Sequence, residues 1–122
     1  MTLSQVRAPL PIFSGAPRRQ TCVRAMGLSF RNCIGIAAGI DRDGSLLPVL
    51  AGLIAGHIEL GTVTDPRALK MPRVKPKTAP LMGVSIGSAK AGFSDEVLTD
   101  YSACLSSALP GADYVVLNFS NE

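Results

Sequence analysis

His57 is the single histidine in a chain of 122 residues. A Ser–His–Asp or Cys–His device would have to run through that residue, and a multi-histidine metal centre cannot be built at all. Hemmed between Gly56 and Ile58, it reads better as a packing histidine than as a ligand. Cys22, Cys33 and Cys104 are an odd set with no C-x-x-C pair, which argues against a disulfide framework and a clustered zinc site and suits a reducing compartment. Two glycine-rich stretches, residues 35–39 and 83–87, match neither the dinucleotide fingerprint nor the Walker loop. Ala38 and Gly39 project so little side chain that a ligand can approach the backbone there, though a tight turn needs the same residues. Gly61-Thr62 carries the same ambiguity. Asn118 closes an apolar run, and its amide can both donate to and accept from a planar ring. The Asn118-Phe119-Ser120 sequon would suit glycosylation only in a secreted protein.

These residues need elements to hold them. Short apolar runs over residues 34–37, 57–60, 82–86 and 113–119 read as strands buried on both faces of a parallel sheet. Helical spacing predicts a helix over residues 45–55, with Pro48 in its first turn and Gly56 as its stop. A second helix begins at the N-cap Ser94, carries Asp95 and Glu96 at its positive end, and stops at Pro110-Gly111. Its apolar stripe is read as Val97, Leu98, Tyr101, Leu105 and Leu109. The order is strand, helix, strand, loop, strand, helix, strand. Right-handed crossovers then build either an open doubly wound sheet or part of a (β/α)8 barrel.

With 47% hydrophobic and 17% charged residues the chain has the content to collapse. No apolar run reaches the ~18 residues of a transmembrane segment. The net charge of +3 is uneven, because Arg7, Arg18, Arg19, Arg24 and Arg31 all precede the first acid, Asp41. Residues 1–25 are expected to form an extended basic arm, and their prolines and glycine would break the amphipathic helix of a transit peptide. A second basic cluster, Arg67, Lys70, Arg73, Lys75 and Lys77, lies among prolines. With no aromatic residue to stack on bases it reads as a solvated loop, and no nucleic acid partner is expected.

Residues 26–44, running Met-Gly-Leu-Ser-Phe-Arg-Asn-Cys-Ile-Gly-Ile-Ala-Ala-Gly-Ile-Asp-Arg-Asp-Gly, resemble the opening of the class 2, quinone-linked dihydroorotate dehydrogenases. His57-Ile-Glu-Leu-Gly-Thr-Val-Thr64 resembles the family's second-strand motif, and Met71-Pro-Arg73 its following basic loop. Gly83-Val-Ser-Ile-Gly87 resembles Gly-Val-Asn-Ile-Gly, and residues 112–120 resemble its Asn-x-Ser-Ser-Pro-Asn strand end. The resemblance covers residues 22–122. It implies the amino-terminal part of a (β/α)8 (TIM) barrel over residues 26–122, FMN as cofactor, dihydroorotate and orotate as ligands, and a quinone acceptor in pyrimidine biosynthesis.

Position by position, the resemblance assigns Ala38, Gly39, Arg42, Thr62, Ser85 and Asn118 to the flavin, and Arg42 and Asn118 also to the substrate. Arg42 replaces the family's lysine, keeping charge but changing donor geometry. Ser85 replaces an asparagine. Asn121 falls where the family carries its base serine, and an amide cannot take the C5 proton, so no catalytic residue is assigned. The helix and orotate-gripping segment expected between Arg73 and Leu81 are replaced by a Lys/Pro linker. At ~250 residues for a whole barrel, about half the fold is expected to lie outside this sequence. The family's membrane-associating amino-terminal helices are not recognisable in residues 1–25, and a cytoplasmic location is expected. The readings are a flavoenzyme whose barrel a second chain or a second copy completes, and a non-catalytic interaction or regulatory relative.

Overall fold

The computed structural model describes residues 21–71 and 79–120. Four parallel strands, β3 (Gly35–Ile36), β4 (His57–Val63), β5 (Leu81–Ile86) and β6 (Tyr114–Leu117), lie side by side in chain order. This is the expected α/β arrangement of the amino-terminal part of a barrel. The sheet does not close, and within the described residues β3 and β6 form its two outer edges.

Alternation explains the layering. Ile58, Leu60, Met82, Val84 and Ile86 turn to one face and are at most 4% exposed; Leu47, Leu50, Cys104 and Ala108 cover them. The opposite, inner face carries His57, Glu59, Ser85 and Tyr114.

Helix α2 (Asp95–Ala108) is as the sequence predicts: the Ser94 hydroxyl accepts from the Val97 N–H, with Asp95 and Glu96 in the first turn. Its stripe is rotated from the expected one. Val97, Cys104 and Ala108 are buried, Tyr101 and Leu105 are partly buried, and Leu98 and Leu109 lie exposed. The small side chains of Cys104 and Ala108 let the helix approach the sheet most closely, and that approach decides which face is covered.

Two expectations are corrected. The helix expected over residues 45–55 is a single turn, α1 (Leu47–Leu50), with no side-chain cap. Pro48 removes one donor and Gly52 weakens any continuation, so the leucines pack as a turn rather than a rod. Val23–Ala25, read as the end of an extended arm, is instead strand β1 of an antiparallel hairpin with β2 (Leu28–Phe30). Met26 and Gly27, at φ of 54° and 72°, make the two-residue turn whose left-handed centre matches strand twist. Residues 1–20 of the arm and residues 72–78 of the Lys/Pro linker lie outside the described residues.

Candidate functional site

Parallel α/β folds place ligand groups at the carboxyl ends of their strands, and the expected residues Ala38, Gly39, Thr62, Ser85 and Asn118 converge there. The device that gathers them is an irregularity in β4. Between the pairs Leu60–Val84 and Val63–Ile86, β4 advances three residues while β5 advances two. The extra residue turns Thr62 to the same face as Ser85. Their hydroxyl oxygens lie 3.2 Å apart, and the Asn118 side-chain amide donates to Thr62 Oγ1 at 3.0 Å.

Gly61, at φ 113° and joined to Thr62 by a cis peptide bond, packs against the Ser85 carbonyl, which a Cβ would approach to 2.3 Å. The exit of β3 is tied to the same point. Gly39 N–H donates to the Gly61 carbonyl at 2.7 Å, and Gly61 N–H donates to the Asp41 carbonyl at 3.1 Å. Beyond Gly39 a Cβ would meet nothing within 4 Å, so space is open where small side chains were expected to admit a ligand.

Sequence reasoning passed over Asp41. Its side chain is 2% exposed and accepts from Gly44 N–H at 3.0 Å and Leu46 N–H at 3.1 Å. A carboxylate three residues before a positive-φ glycine is the local signature of such a loop. The neighbouring Asp43 accepts from Lys70 Nζ at 2.9 Å. That hydrogen bond, with a smaller one from Ser45, holds the Asp43 carboxyl far below the usual range. Arg42, between the two aspartates, is exposed in the loop after Gly39. Ser85 is 2% exposed, and its hydroxyl is within hydrogen-bond distance of that of Thr62. Asn121 lies outside the described residues.

The amino end of the inner face is aromatic. His57 meets Phe30 edge-on, with ring centroids 5.5 Å apart, and Tyr114 lies 6.2 Å from Phe30 and 6.3 Å from His57. Gly35 and Gly83 make room for these rings: a Cβ on Gly35 would overlap the imidazole, and one on Gly83 would lie 2.2 Å from Tyr114 Cζ. His57 is therefore a packing residue at the far end of β4 from the site. Its Nδ1 is buried without a hydrogen-bond partner among the described residues. Tyr114 donates to Glu59 Oε2 at 3.5 Å, and burial, then the Glu59 charge, push its phenol up to about 12.

In the basic cluster, Arg67 pairs with Asp65 at 3.0 Å and Lys70 with Asp43, so two of its cations face acids of the same chain. Among the described residues no group of histidine, cysteine and acid side chains could hold a metal ion, and no helix is long and apolar enough to cross a membrane.

No family model matches the chain. It is 31% identical over a 152-residue alignment to the dihydroorotate dehydrogenase (quinone) of Anaeromyxobacter dehalogenans strain 2CP-C, an alignment covering 98% of the chain and 40% of that protein. It is 33% identical over 131 residues to the protein of the same name from Nitrosomonas eutropha, covering 83% and 38%. For that of Chromobacterium violaceum the identity is 30% over 145 residues, covering 94% and 42%. The chain spans about two fifths of the length of the curated relatives it matches.

Proposed function

We propose that this chain, a relative of the quinone-linked dihydroorotate dehydrogenases, receives one edge of an FMN ring at the carboxyl ends of its four parallel strands. The observation that carries the reading is the Thr62–Asn118 hydrogen bond, which sets a hydroxyl and an amide beside the small residues Ala38 and Gly39 and the open space above them. Those residues fit a planar, hydrogen-bonding ring: small residues that let its face come close, polar groups for its edge. FMN held there would supply hydride acceptance for the oxidation of dihydroorotate to orotate, with a quinone as the final acceptor.

The chain's own residues bind and orient. Asn118 is the amide placed to meet flavin and substrate rings, and Arg42 is the cation available to a substrate carboxylate. Ser85 braces Thr62 from beneath. No base is supplied, because Asn121 stands where the family's serine takes the C5 proton and a carbon acid needs a positioned acceptor. These residues therefore bind and orient without supplying the proton acceptor that dihydroorotate oxidation needs. The Asn121 substitution equally favours a second reading, a non-catalytic interaction or regulatory module of the same family. A reducing, cytoplasmic setting suits the thiols of Cys33 and Cys104.

Titration of the purified chain with FMN tests the flavin reading. Saturable quenching of flavin fluorescence at micromolar concentrations is expected, together with no dihydroorotate turnover in the wild type or in Asn121→Ser. Absence of quenching overturns the flavin site, and turnover by the single variant overturns the non-catalytic assignment.

A further inference from the structure

Two side chains in the middle of α2, Asp100 and Tyr101, carry polar groups past the buried contact that Val97, Cys104 and Ala108 make with the sheet, the Tyr101 ring packing partly against the same core. Asp100 Oδ2 accepts from Ser88 Oγ at 2.9 Å, and Ser88 lies two residues past the end of β5. Lys90 joins the same point: its N–H donates to Ser88 Oγ at 3.0 Å, and its Nζ lies 3.6 Å from Asp100. The next residue, Tyr101, donates its hydroxyl to the carbonyl of Asn118, one residue past the end of β6. Its ring lies 5.5 Å from that of Phe119.

We infer that Asp100 and Tyr101 are positioning residues for the strand-end site, holding the exits of β5 and β6 in register from one helix. Asn118 is fixed at four points: its backbone N–H on the Ile86 carbonyl, its side-chain amide on Thr62, its Oδ1 by the N–H and hydroxyl of Ser120, and its carbonyl by Tyr101. The first ties the strand to β5, the second and third act on the side chain, and the fourth is the bond made directly to the carbonyl of the peptide plane that follows. Without the Tyr101 hydroxyl that plane loses a restraint, and the side-chain amide on the same residue shifts with it. Adjacent residues on a helix point about 100° apart, so a single helix reaches two neighbouring strand exits without bending. FMN as the ligand rests on the flavin reading, whereas the positioning contacts themselves do not.

The test uses the full 15N-labelled chain, with FMN as the probe. Tyr101→Phe keeps the ring and its contact with Phe119 and removes only the donor. It is expected to move the Asn118 side-chain amide resonances and weaken FMN binding about three- to tenfold, the worth of one hydrogen bond. Ser106→Ala, which removes an exposed hydroxyl elsewhere on α2, should leave both readouts in place. Asn118 resonances unmoved by Tyr101→Phe overturn the inference. If the wild type binds no FMN the flavin reading fails, and the resonances alone still decide the positioning role. Should Tyr101→Phe not fold, Asp100→Asn replaces it: shifted Ser88 and Lys90 amide resonances support the inference, and unshifted ones overturn it.

Discussion

Gly83→Ala isolates what holds the inner face together. Alanine in a strand normally gains ~0.4–1 kcal/mol over glycine by restricting the unfolded chain, so the sign of the change is decided by what the new methyl meets. It would lie 2.2 Å from Tyr114 Cζ and 2.5 Å from the phenol oxygen. An ordinary carbon contact is ~3.5–4 Å, so the ring must retreat by about 1.5 Å. Phe30 and His57 flank that ring at centroid distances of 6.2 and 6.3 Å, so the retreat disturbs a packed layer rather than solvent. Overpacking of this kind costs ~1–3 kcal/mol, and the net loss expected is about 2 kcal/mol. In urea titrations, with a slope of ~1–3 kcal/mol per molar, the midpoint should fall by roughly 1 M. In a Tyr114→Val background the obstacle is gone, and the same glycine substitution should become neutral or mildly stabilising. A Gly83→Ala protein as stable as wild type refutes the reasoning, as does an equal loss in both backgrounds.

Asp41→Ala leaves one buried and one half-buried backbone donor unsatisfied and should cost about 2 kcal/mol, seen as a lowered thermal midpoint with the Asn variant intermediate. Because the Tyr114 phenol is raised to about 12, its contribution to stability is complete below pH 10 and lost as pH climbs from 10 towards 12; ultraviolet titration of wild type minus Tyr114→Phe should reveal that late phenol. Cys104, wholly buried and with its thiol pushed up by desolvation, should resist a thiol reagent until the chain unfolds, while Cys33 reacts at once. Replacing the N-cap Ser94 by alanine should cost about 1 kcal/mol, read as a lower urea midpoint.

The strands were legible as short β-branched runs, and all four formed in the expected order, but only β4 and β5 are buried as expected; β3 and β6, at the sheet's two edges, stay half-buried to exposed. The strand limits were not legible. β4 runs on past Leu60 because a bulge absorbs Gly61 and Thr62, a feature that depends on its partner β5 rather than on its own sequence. The hairpin escaped because Met26, not asparagine or aspartate, occupies the first left-handed position of its turn. The leucine-rich segment after Ser45 has helical spacing, but spacing does not count the donor lost at Pro48 or the freedom of Gly52. At the site, the resemblance brought Ala38, Gly39, Thr62, Ser85 and Asn118 together. The roles of Glu59 and of the Tyr101 hydroxyl went unnoticed because their partners, Tyr114 and Asn118, lie on other elements, where periodicity carries no signal, whereas the partners of Asp41 are local, at Gly44 and Leu46, and that signal was passed over.

The ring layer of Phe30, His57 and Tyr114 also gives the inner face two unlike ends. Among the described residues the rings fill the amino end, where a hairpin that precedes the sheet in sequence lays Phe30, only 8% exposed, against His57 and Tyr114. At the carboxyl end the space beside Gly39 is open. Bulky groups added around residues 23–30 should therefore leave the rate of FMN binding unchanged, whereas equal bulk beside Gly39 should lower it.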